Sequence, residues 1–106
     1  MKIKIIQTTI DSIKIAKSIS EQLVNNNASP CVQIIPNIRS VYLWKNKLEH
    51  SSELLLLIKT IPDKIQQCKD IILKNHNYDI PELIVLDGDI IEDDYQAWFV
   101  EHCREI

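Results

Sequence analysis

The segment Leu73–Leu86, "LKNHNYDIPELIVL", gathers several of the side chains in this chain that could do chemistry. It holds an imidazole (His76), a phenol (Tyr78) and two carboxylates (Asp79 and Glu82). A metal centre needs several ligands and an outer shell that orients them, so His76 is a metal ligand only if other donors join it. The alternative is a histidine that ends a helix, where the ring complements the negative end of the dipole. Lys59, Tyr78 and Glu82 are polar groups beside apolar strands and need partners if they are buried. Trp44 is grouped with them. Converging at a subunit boundary, they would form a pocket for an anion or a small polar ligand.

The remaining reactive residues read as structural. The acidic run Asp87–Asp94, "DGDIIEDD", lacks the spacing of a calcium loop and reads as a solvated loop or helix cap. Cys31 and Cys68 read as small buried hydrophobes, and Cys103, near the C-terminus, has room to be exposed. His50 falls in a polar stretch and His102 on one turn of the last helix. Tyr42, Trp44 and Trp98 read as packing or interface aromatics. No nucleophile–base pair and no glycine-rich phosphate loop is visible, and the chain has one glycine in all. The expectation is a protein that is not an enzyme.

Composition narrows the class. The 106 residues suit one domain, 1–106, with 45% apolar and 25% charged side chains. A net charge of −3 gives no basic footprint for nucleic acid. The longest apolar run, Leu54–Ile58, is too short to span a bilayer, and "MKIKIIQTTIDS" has no signal-peptide core. Three widely spaced cysteines without a CxxC pair suit reduced thiols. A cytoplasmic protein is expected. With so little glycine, turns that need positive φ must use asparagine at Asn25–Asn27, Asn37 and Asn46.

These groups must be positioned by recognisable elements. Lys2–Thr9 alternates as a first strand, and Asp11 or Ser12 can cap a helix carrying Ile13, Ala16, Ile19, Leu23 and Val24. An extended segment, Ala28–Lys47, is bent at Pro36–Asn37 and turns tightly around Asn46. The return strand is Leu48–Thr60. Pro62 opens a second helix with Ile65, Cys68, Ile72 and the candidate His76 on one side. "ELIVL" from Glu82 is the last strand, and a third helix starts near Asp93. The order β-α-β-β-α-β-α predicts an α+β, ferredoxin-like βαββαβ plan with an extra C-terminal helix and a long bent hairpin. Both main helices then lie on one sheet face. The strands are apolar on both faces, however, so the second face needs a cover. The third helix supplies part of it and a partner subunit the rest.

The segments "ASPCVQIIPNIRSVYLWKNKLE", "LLLLIKT", "HNYDIPELIVL" and "YQAWF" resemble the CutA family of divalent-cation tolerance proteins across nearly the whole chain. The resemblance implies a tight homotrimer of ferredoxin-like subunits whose hairpins pair between neighbours, similar to the trimeric PII signalling proteins. It implies a response to copper and other divalent ions. Pro36, Ser40, Tyr42, Trp44, Lys59, Thr60 and the stretch from His76 to Glu82 stand at motif positions, while Asn37 and Asn46 replace two turn glycines. Family members with a proposed copper site use a cysteine and two adjacent histidines; these positions hold Gln7, Asn75 and His76 here. One imidazole without the thiolate leaves weak copper binding as the expectation. The second expectation is a PII-like trimeric adaptor that binds a small ligand at subunit interfaces.

Overall fold

The computed structural model describes residues 1–103. The elements are β1 (Lys2–Ile10), α1 (Ile13–Asn25), β2 (Cys31–Trp44), β3 (Lys47–Thr60), α2 (Ile65–Asn75), β4 (Ile84–Asp89) and α3 (Asp93–His102). A 3-10 turn at Pro62–Lys64 leads into α2, with the proline at its first position as its missing N–H favours. The strands form one antiparallel sheet in the order β2-β3-β1-β4.

Alternation along the central strands decides what each face meets. Ile6 and Ile10 of β1 and Leu56 and Ile58 of β3 point to one side. There they pack on Ala16, Ile19 and Leu23 of α1 and on Cys68 and Ile72 of α2. Each fully buried isoleucine or leucine contributes about 1.5–3 kcal/mol. On the other side Ile3 packs with Ile90, Phe99 and Cys103, so α3 covers that end of the second face. Beyond α3 the same face stays open, and Ile35, Ile84 and Leu86 remain exposed.

Ser12, not Asp11, caps α1, its hydroxyl accepting from the Ile15 N–H at 3.2 Å. The helix ends through Asn27, whose φ of 55° turns the chain back toward β2. β2 and β3 then run for 14 residues each. A strand of that length spans about 45 Å, and the chain is 46 Å along its longest axis. The hairpin therefore extends along the whole molecule. Its turn is Lys45–Asn46, with φ of 50° and 63°. Two successive positive φ values make a type I′ turn, which matches the twist of the strands. Lys45 had no turn signal of its own.

A bulge interrupts the hairpin at Pro36–Asn37. Ile35 pairs with Leu55 but Ile38 pairs with Glu53, so β2 carries one extra residue there. Asn37 supports it with φ 63°. Because side chains alternate, the extra residue reverses which side of β2 faces each way. Ser40, Tyr42 and Trp44 now share a face with Ser51, Glu49 and Glu53.

Two expectations are corrected. The last strand is Ile84–Asp89, not "ELIVL" from Glu82. Pairing with β1 from Lys2 to Gln7 draws "DGD" into the sheet, where Asp87 and Asp89 bond Lys4 and Lys2 across the strands. Only the later part of the acidic run caps a helix, Glu92 accepting from the Asp94 and Tyr95 N–H groups. Cys103 is buried, because the end of α3 tucks against Ile3 and Ile90. Gly88 is crowded in the same area, and a Cβ there would lie 3.2 Å from both Ile3 Cγ1 and Ile5 Cδ1.

Asn37 tests the bulge. Asn37→Gly should leave stability within a few tenths of the parent, whereas Asn37→Val should lose about 1–2 kcal/mol, since a β-branched residue pays the left-handed penalty in full. Urea unfolding of the two variants checks this.

Candidate functional site

The face created by the bulge forms one wall of an open cavity of about 830 Å³. β2 contributes Ser40, Val41, Tyr42 and Trp44, and β3 contributes Glu49, Ser51 and Glu53. The end of β1 and the turn after it bring Thr9 and Asp11. The segment between α2 and β4 closes the opposite wall with Tyr78, Asp79, Ile80 and Glu82. The segment bends at Asp79–Ile80, and Pro81 follows on the way into β4.

Glu53 is the centre of the site, and sequence reading passed over it. It is only 6% exposed. The Tyr78 hydroxyl donates to its Oε2 at 2.7 Å. Burial pushes the Glu53 carboxyl up, but the hydroxyls around it, with the 2.7 Å bond from Tyr78 among them, outweigh this and hold it below the usual range. Burial, and then the Glu53 carboxylate, push the Tyr78 phenol the other way, well above its ordinary value. Tyr78 therefore stays a donor and Glu53 an anion.

His76 sits just past α2 as its C-terminal cap, its N–H donating to the Ile72 carbonyl at 2.9 Å. The ring is engaged at both nitrogens. Nδ1 accepts from the Tyr78 N–H at 3.1 Å, which places the proton on Nε2, where it bonds the Thr9 carbonyl at 2.9 Å. The ring also meets the Tyr78 ring edge-on, with centroids 4.8 Å apart. His76 thus fastens the Tyr78 segment to the end of β1.

The other two positions of the copper pattern are likewise committed. Gln7 Nε2 donates to Glu82 Oε2 at 3.2 Å. Asn75 exchanges two amide hydrogen bonds with Gln22, at 3.1 and 3.2 Å, and so ties α2 to α1. Carboxamides are poor copper donors and the one imidazole has no free lone pair. Among the described residues of one chain, no group of three or more His, Cys, Asp or Glu is placed to hold a metal ion. The side chains of this chain taken alone do not fit a tight copper centre.

Trp44, Tyr78 and Glu82 thus line one cavity, but Lys59 lies apart from them within the chain. Its ammonium is 5.7 Å from the centre of the Tyr95 ring, beside a smaller hollow with Ile3, Ile5 and Gly88. Cys31 is half-buried, and burial pushes the Cys68 thiol up to about 11. His102 bonds the Trp98 carbonyl and rests against the Trp98 ring.

Glu53 links the site to acid stability. Its carboxyl is depressed in the folded chain, so its contribution is complete above about pH 4.3, the unfolded value, and vanishes as pH falls through the folded value. Glu53→Gln should lower stability at pH 7 and flatten the decline between about pH 5 and 3. Thermal midpoints across that range give the readout.

Residues 4–102 match the family model described as CutA1 divalent ion tolerance protein. A chloroplastic CutA protein of Arabidopsis thaliana is 32% identical over 94% of this chain and 55% of its own length. The divalent-cation tolerance protein CutA of Thermus thermophilus is 29% identical over 93% of this chain and 96% of its own. The chain therefore spans about half of the plant protein and nearly all of the bacterial one. The crystal structure of CutA1 from Oryza sativa superposes with a TM-score of 0.90 at 30% identity, over 99% of this chain and 95% of that one. With sequence and backbone agreeing over almost its whole described length, this chain belongs to the CutA1 divalent ion tolerance family.

Proposed function

We propose that residues 1–106 form one ferredoxin-like subunit of a cytoplasmic homotrimer that acts in the response to divalent metal ions, and that it is a binding protein, not an enzyme. The family match over residues 4–102 carries the metal-ion part of this reading. The assembly is supported by what one chain leaves in water. Leu43 and Leu48 near the hairpin tip are 73% and 65% exposed, and Ile35, Ile84 and Leu86 of the second sheet face are also uncovered. Apolar surface of this extent favours association. No helix among the described residues is long and apolar enough to cross a membrane.

Copper binding, in this reading, is weak and independent of His76, because both ring nitrogens are already used. Titration with copper and with zinc should give the same weak affinity for the parent and for His76→Ala. A loss of affinity on substitution would restore His76 as a ligand. Light scattering should return three times the chain mass, and a monomer would sink the assembly.

The cavity favours a second reading, that of a PII-like adaptor that binds a small ligand where subunits meet. Trp44, Tyr78 and Glu82 would come from one subunit. Lys59, which lies on the same sheet face as Leu55 and Leu57, would be brought by a neighbour. A thermal-shift screen with nucleotides and metabolites should then find a stabilising ligand.

A further inference from the structure

Residues 76–82 form a strap without regular structure, and side-chain links hold it to the rest of the chain. Asn77 Nδ2 donates to Asp11 Oδ1 at 3.1 Å, and Gln7 Nε2 donates to Glu82 Oε2 at 3.2 Å. The Tyr78 hydroxyl donates to Glu53 at 2.7 Å. His76 differs from these, because the charge state of its ring decides whether its link exists. A backbone N–H can only donate, and a carbonyl can only accept. The Tyr78 N–H therefore requires a bare Nδ1, and the Thr9 carbonyl requires a proton on Nε2. Only the neutral ring with its one proton on Nε2 meets both demands. A second proton would enter at Nδ1 and face the Tyr78 N–H at 3.1 Å, donor against donor.

The surrounding charges do not reverse this. Carboxylates stand on several neighbouring elements: Asp11 in the turn between β1 and α1, Glu53 on β3, and Asp79 and Glu82 on the strap itself. The first turn of α1 carries Lys14 and the last turn of α2 carries Lys74. Both ring nitrogens are occupied, so these charges reach the imidazole only through space. Asp11 and Asp79 are exposed, and exposed charges attract only weakly through water. Glu53 already holds the Tyr78 hydroxyl. The loss of a bond between two opposed donors outweighs such attraction. We propose that His76 is a proton-controlled clasp: neutral, it holds the strap against the end of β1, and protonated, it releases Tyr78 and with it the donor to Glu53. The released strap binds one more proton, so acid favours it. Every link involved lies within one chain, and none depends on which ligand or metal ion the protein takes.

Imidazole is the side chain that ordinarily changes charge between about pH 5 and 8. Glu53, held below the usual carboxylate range, and Tyr78, held above the usual phenol range, do not change charge there. Amide hydrogen exchange followed by NMR on the assembled protein, corrected for intrinsic rates, is the test. Between about pH 7.5 and 5.5 protection of the Tyr78 amide should fall about tenfold, the worth of one hydrogen bond, while amides within α1 keep theirs. Nitrogen shifts of the His76 ring should show the Nε2–H tautomer at the upper pH, and the loss of protection should follow the arrival of the second proton. His76→Gln has a donor and an acceptor but no titrating group, so its Tyr78 protection should not vary with pH. Constant protection in the parent, an Nδ1–H tautomer, a parallel loss in α1, or the same fall in the variant would overturn the proposal.

Discussion

One extra residue in β2 decides the chemistry of this chain. Without the bulge at Pro36–Asn37, strict alternation would turn Tyr42 and Trp44 to the opposite side of the hairpin, away from Glu53. Val41 and Leu43 would take their place. The aromatic wall would then be lost even though every strand remained. The bulge itself rests on one backbone angle, the left-handed φ of Asn37, and on a proline beside it that has no N–H to lose from the ladder. A local torsional choice thus determines which functional groups share a space.

The opposite wall depends on a different kind of interaction. The segment from His76 to Glu82 has no regular structure to hold it. Three side-chain links hold it: His76 to the Thr9 carbonyl, Asn77 to Asp11 and Glu82 to Gln7. Tyr78 reaches from this segment to Glu53 and joins the two walls. A buried carboxylate is tolerated only where donors surround it, and the hydroxyls of the cavity floor meet that need. Gln7 and His76, two of the three positions of the copper pattern, serve here to fix this segment, and Asn75 ties α2 to α1.

Much of this was readable from residue order alone. The bend at Pro36, the turn at Asn46, the amphipathic faces of α1 and α2 and the acidic cap of α3 all follow from local rules, and the structure has them. The failures are instructive. Glu53 ends a polar stretch, "EHSSE", and looks like one more solvated acid. Its burial depends on Tyr78, which is distant in sequence, and on the bulge that sets its face. Lys59 and Tyr78 both flank apolar strands yet lie apart within one chain, because sequence proximity to a strand does not say which end of the sheet a side chain reaches. "DGD" reads as loop by propensity, and antiparallel pairing with β1 overrules it.

The near absence of glycine divides two duties that this residue usually combines. Where the backbone needs an unusual torsion, asparagine supplies it at Asn27, Asn37 and Asn46, and Lys45 supplies it once in the hairpin turn. Gly88 has no such angle; what it provides is emptiness, a missing methyl beside Ile3 and Ile5. The map of tolerated substitutions should therefore have two unlike kinds of sensitive position, one ruled by angle and one by volume. A library screened for retained folding would accept several small polar residues at the first kind. At the second, compensation would have to come from a smaller neighbour, so Gly88 should covary with Ile3 or Ile5, and not with any turn.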